Sequence, residues 1–170
     1  MSKEPPESVK KLWNSSKIKR SPADWALQWL WNQPEVSVVL SGMSSMQHVV
    51  ENLESAEKSG DIPFTDKDLE LIDKVRDQYR QLSPIPCTNC GYCMPCPNGV
   101  NIPHAFRQYN DAIMYDDPRT ARFRYRQESK NAWADNCIEC NECEEKCPQE
   151  ITISEWLKKV HDFLGPKKKT

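Results

Sequence analysis

Eight cysteines occupy two runs between residues 87 and 147, and no other cysteine occurs in the 170-residue chain. The first run reads Cys87-x2-Cys90-x2-Cys93-x2-Cys96-Pro97 and the second Cys137-x2-Cys140-x2-Cys143-x3-Cys147-Pro148. Disulfides do not suit this crowding, because a secreted framework spreads its cysteines along the chain. The N-terminus, MSKEPPESVKK, has no apolar core of a signal peptide, so the expectation is a cytoplasmic protein with reduced thiols. Metal binding is then the chemistry, and two kinds of centre compete. Zinc takes four thiolates tetrahedrally and favours C-x2-C pairs, which would make this a structural zinc-binding or interaction module with no redox role. Each run, however, continues past a pair to a third and fourth cysteine and closes on Cys-Pro. Triplets at this spacing wrap three corners of an iron–sulfur cubane, since a tight loop turns its backbone N–H groups toward the sulfurs. The spacings favour two [4Fe–4S] clusters.

The second run matches the bacterial ferredoxin pattern letter for letter, and the first differs from it by one residue. In two-cluster ferredoxins the fourth cysteine of a run ligates the other cluster. The resemblance therefore implies crossed ligation, with Cys87, Cys90, Cys93 and Cys147 on one cluster and Cys137, Cys140, Cys143 and Cys96 on the other. The shorter gap before Cys96 leaves three ligands of its run untouched and alters only the approach of the crossing one. Clusters sharing ligands this way lie roughly a dozen ångströms apart, by the reach of a few residues. That is the architecture of an electron relay, served by a redox partner protein. Glu139, Glu142, Glu144 and Glu145 would steer a basic partner, with solubility as the plainer reading. Arg119, Arg122, Arg124 and Arg126 would offset anionic clusters or form a solvated helix face. Tyr92 and Trp133 would shield the clusters or pack in the core.

The elements that must position these thiols read as helices. Between the runs no strand signal occurs, and helices are predicted at 102–115, with Phe106, Tyr109 and Ile113 as the apolar stripe, and at 118–134. After the second run, Ser154 is the predicted N-cap of a helix stopped by Gly165-Pro166. The helical insert suggests an α-helical ferredoxin-like dicluster domain over 61–170, similar to the iron–sulfur domain of succinate dehydrogenase and fumarate reductase. Thr65 and Asp68 form a capping box for a helix over 66–80, with Leu69, Ile72, Val75 and Tyr79 on one face. Upstream, Ser21, Pro22 and Asp24 start a helix that ends before Pro34. VSVVLS at 36–41 reads as a strand buried on both faces. Met46, Val49, Val50 and Leu53 then mark a helix through about residue 58. A lone buried strand leaves its peptide groups unsatisfied, so residues 1–60 are expected to need a larger sheet or a second copy.

The stretch SPADWALQWLWNQPEVSVVLSGMSSMQHVVENLESAE resembles the end of an aldo/keto reductase barrel, and CTNCGYCMPCPNGVNIP with the second run resembles the ferredoxin-type tail of that family's iron–sulfur members. The fold expected is mainly α: the dicluster domain preceded by a helix–strand–helix remnant of the (β/α)8 barrel, as the C-terminal fragment of an oxidoreductase. The resemblance implies NADP(H) in the full-length parent, with Gly42, Met43, Ser44 and Ser45 at the phosphate loop and Glu51 and Asn52 at the adenine. His48 stands where the family's arginine grips the 2′-phosphate, which weakens that contact. The family's catalytic tetrad would lie in earlier strands, so reductase activity requires the remainder of the barrel as partner. A net charge of −2 gives no sign of nucleic-acid binding, and no apolar run is long enough to span a membrane.

Overall fold

In the computed structural model, which describes residues 4–60 and 64–166, every regular element is a helix. The α-helices are α1 (Glu7–Asn14), α2 (Pro22–Trp31), α3 (Met46–Glu57), α4 (Asp66–Leu82), α5 (Ile102–Met114), α6 (Pro118–Gln127), α7 (Glu142–Glu145) and α8 (Ile153–Leu164). Short 3-10 turns at Lys130–Ala132 and Ala134–Asn136 lead into the second cysteine run. The chain divides into two compact units, residues 1–78 and 79–170. Residues 61–63, at the start of the expected dicluster domain, and the lysine-rich C-terminal stretch 167–170 lie outside the described residues.

In the first unit the expected caps form. Ser21 accepts from the Asp24 N–H at 3.1 Å, and Thr65 and Asp68 bond reciprocally, with Asp68 N to Thr65 Oγ1 at 3.3 Å and Thr65 N to Asp68 Oδ2 at 3.0 Å. Trp25 is buried between the stacked ring of Trp13 at 5.2 Å and Phe64 at 5.7 Å, beside Val9, Leu71 and Val75. Gln28 ties α2 to α3 by donating to the Ser55 carbonyl at 2.6 Å. The strand expected at 36–41 does not form: no strand occurs among the described residues, and Val38 and Leu40 are 74% and 92% exposed. A β-ladder needs a partner for its N–H and C=O groups, and no partner strand lies among the described residues. For the same reason the predicted stripe of α3 is uncovered, with Met46, Val50 and Leu53 all exposed.

In the second unit α5 packs against both α6 and α8. Their shared core holds Ile102, Phe106, Tyr125, Ile153, Leu157, Val160 and Leu164, all essentially fully buried. Asn101 and Asp117 cap α5 and α6, accepting from His104 N at 3.3 Å and Thr120 N at 3.1 Å, and a proline follows each cap within the first turn. The helix expected to run to 134 stops at Gln127. Beyond it, Asn136 donates to the Lys130 carbonyl at 2.6 Å and Trp133 Nε1 to that of Glu128 at 3.2 Å, side-chain bonds that offer the backbone an alternative to helix. Ser154 is not the cap of α8; Thr152 precedes the helix, and Ser154 instead bonds Glu144. Gly165 adopts an ordinary φ of −64°, yet a Cβ there would meet the His161 carbonyl at 2.5 Å, so close approach rather than a left-handed turn requires glycine.

Candidate metal centres

The two cysteine runs follow the same backbone path. In each, the second residue after the first cysteine is left-handed (Asn89 at φ 58°, Glu139 at 59°), as is the residue after the second cysteine (Gly91 at 79°, Asn141 at 62°). After the fourth cysteine the match resumes: Gly99 (φ 76°) and Glu150 (50°) each donate to the carbonyl of Cys96 or Cys147, at 2.9 and 3.1 Å. Each run then enters a helix at a buried isoleucine, Ile102 of α5 or Ile153 of α8. The two halves, 87–114 and 137–164, are an internal repeat. The one missing residue falls between Cys93 and Cys96, where the Met94–Pro95 peptide is cis; run two fills that gap with the end of α7.

This repeat places the thiols around two cavities. One is lined by Cys87, Cys90, Cys93 and Cys147, with Ile102, Phe106, Ile151 and Ile153 as apolar walls. The other is lined by Cys96, Cys137, Cys140 and Cys143, together with Cys93, Ile102 and Leu157. Each thus brings three thiols of one run together with the fourth of the other, and Cys93 is common to both. Among the described residues no three His, Cys, Asp or Glu side chains draw together tightly enough for a single ion. Four thiols per cavity is a donor set that a zinc ion or an iron–sulfur cubane would take. Cys90 and Cys140, the second cysteine of each run, are the exposed ones. Left-handed turns aim peptide donors at the thiols: the Glu139 N–H donates to Cys137 Sγ at 3.4 Å. Burial pushes the Cys87 and Cys93 thiols up and raises Cys143 to about 11, so without a metal these thiols hold their protons at neutral pH.

The charged residues between and within the runs are largely structural. Arg122 donates to the Phe163 carbonyl at 2.9 Å, and Arg126 to those of Leu164 at 3.0 Å and Gly165 at 2.6 Å. They cap the C-terminus of α8, complementing its dipole, rather than facing either cavity or solvent alone. Glu144 accepts from both Ser154 N–H (2.8 Å) and Ser154 Oγ–H (2.7 Å), and Glu139 pairs with Lys158 at 2.8 Å. Tyr92 is 65% exposed, while Trp133 stacks on Tyr125 at 6.1 Å. Sequence reasoning missed Asn110, Tyr125 and His161, which brace the lead-in to each run; their register with the buried stripes of α5, α6 and α8 was the available signal.

The residues assigned to nucleotide binding belong to the first unit. Gly42, Met43 and Ser44 belong to the irregular exposed segment before α3. Ser45 caps α3, accepting from His48 N at 3.3 Å, while Asn52 donates to Ser41 Oγ at 3.0 Å and Glu51 accepts from Gln47 at 2.7 Å. His48 is exposed on the first turn of α3.

Residues 86–152 match the family model of a 4Fe-4S dicluster domain, and residues 5–77 that of the aldo/keto reductase family. The chain joins an aldo/keto reductase segment to a 4Fe-4S dicluster domain. The dicluster match begins one residue before Cys87 and ends just past Cys147, so it spans both runs and the helices between them. No curated protein and no solved structure matches the chain at a significant level. Among the described residues no helix is long and apolar enough to cross a membrane.

Proposed function

We propose that the second unit of this dicluster chain is an electron-transfer domain holding two [4Fe–4S] clusters, one on Cys87, Cys90, Cys93 and Cys147 and one on Cys96, Cys137, Cys140 and Cys143. The carrying observation is that each of two cavities brings three thiols of one run together with the fourth of the other, Cys93 lining both. When bound, such clusters accept and pass single electrons. The protein's own contribution is to present four thiolates per cavity, to aim peptide N–H groups at them, and to keep water from the apolar walls. Two cavities sharing Cys93 and Ile102 suit relay from one cluster to the next. Anaerobic reconstitution tests the reading: about eight iron and eight sulfide per chain are expected, with a paramagnetic signal after dithionite reduction. About two zinc per chain and no such signal would support the structural zinc module instead.

The first unit extends the proposal. Its aldo/keto reductase match supports a parent oxidoreductase linked to NADP(H), with Gly42, Met43, Ser44, Ser45, His48, Glu51 and Asn52 at the nucleotide. The uncovered apolar residues of 36–53 supply the face on which the rest of a barrel would close. Adding the remaining barrel as a separate chain should restore NADPH-dependent carbonyl reduction, and its failure to bind this chain would sink that part of the reading.

A further inference from the structure

The first ligand of each run leaves the helical core after a buried residue whose backbone N–H a side chain holds. Before run one, Asn110 accepts from the Ile85 N–H at 3.1 Å and donates to the Ile85 carbonyl at 2.7 Å. That same carbonyl accepts from the Cys87 N–H at 2.8 Å, and Ile85 is fully buried. Before run two, the Tyr125 hydroxyl accepts from the Ala134 N–H at 2.7 Å, and the Ala134 carbonyl accepts from the Cys137 N–H at 3.2 Å. The hydroxyl is itself held by His161 Nδ1 at 3.0 Å, and both Tyr125 and Ala134 are buried. Asn110 lies eight residues beyond Ile102, the first residue of α5, and His161 eight beyond Ile153, the first of α8. Run one uses this position directly on the chain ahead of its first thiol, whereas in run two His161 holds the hydroxyl of Tyr125, a residue of α6, and Tyr125 holds the chain.

We infer that Asn110 and the Tyr125–His161 pair are positioning residues, each holding the first thiol of one run over its own cavity; this rests on the reading of the thiols as two cluster-ligand sets. Neither touches a thiol directly. Each acts through one residue, whose buried N–H would otherwise lack an acceptor. A residue held at both its N–H and its carbonyl cannot swing the following cysteine away, so losing the grip should loosen one cluster and leave the other unchanged. A general weakening of the core would instead loosen both, since α5 and α8 pack on each other.

The test uses the full chain, reconstituted anaerobically, challenged with an iron chelator in the presence of iodoacetamide, with labelling followed at each cysteine by mass spectrometry. In Asn110→Ala, labelling of Cys87, Cys90, Cys93 and Cys147 should accelerate roughly five- to tenfold, the scale of one buried hydrogen bond, with the other four unchanged. Tyr125→Phe, which keeps the ring, should do the reverse, exposing Cys96, Cys137, Cys140 and Cys143. Asn110→Asp keeps the acceptor for Ile85 N–H and should give a smaller change in the same set, so the proposal stays testable if the alanine variant fails to fold. Equal acceleration of both sets, or of neither, overturns the positioning roles while leaving the clusters standing. Wild-type chain labelled alike with and without iron would overturn the cluster reading and this inference with it.

Discussion

The two halves of the repeat, 87–114 and 137–164, share one backbone path and differ in what braces it. Both turn through left-handed residues at matching positions and enter a helix at a buried isoleucine. Run one closes its gap with Met94 and Pro95 and pins its entry through Asn110, a single side chain. Run two inserts an extra residue, latches Glu144 onto Ser154, and pins its entry through a tyrosine and a histidine from different helices. The path is set by where thiols and turned peptides must lie, whereas the braces are free to differ because any acceptor in the right place satisfies the same N–H.

The largest expected effects come from the walls. Phe106 and Leu157 occupy the same register in α5 and α8, and each lines one cavity. Phe106→Ala should cost about 3–5 kcal/mol and Leu157→Ala about 2–5 kcal/mol, read by denaturation of the reconstituted chain, with iron lost first from the cavity whose wall was cut. Next comes the latch peculiar to run two. Glu144→Ala removes the acceptor of two part-buried donors and should destabilise by about 1–2 kcal/mol, whereas Met94→Ala at the matching place should cost less. Smaller still, Arg126→Ala frees the last carbonyls of α8 and should cost about 0.5–1.5 kcal/mol, seen as a modest drop in melting temperature.

Thiol protonation gives the finest comparison. Cluster assembly needs thiolates and releases protons. Burial holds Cys143 up at about 11 and raises Cys87 and Cys93 as well, so assembly in both cavities should quicken as pH rises from about 7 toward 9. The metal-free chain should respond oppositely. Its folded state keeps these protons above the unfolded thiol value of about 8.5, so unfolding becomes easier as pH climbs from there toward about 11. Proton release on loading, and melting of the metal-free chain across that range, check the two signs.

Much of this was legible in the sequence because cysteine spacing is chemistry written locally. The runs, the caps at Ser21 and Thr65, and the helices of α4, α5 and α8 follow from residues within a turn or two of each other. What was not legible depends on distant partners. VSVVLS has every local mark of a buried strand, yet a strand is made by its neighbour, and Val38 and Leu40 stand exposed without one. The arginines of α6 read as a charged face, although two of them bond carbonyls about forty residues away. Asn110 carries no mark of its partner in the sequence; only the fold shows Ile85 opposite it.

The crossing of ligands between the halves is the claim on which the rest depends, and Cys96→Ser tests it most directly. After anaerobic reconstitution, the variant should keep Cys87, Cys90, Cys93 and Cys147 protected by iron while Cys137, Cys140 and Cys143 become open to alkylation, although all three lie in the other run. Loss of protection within run one instead, with the second run intact, would contradict the account.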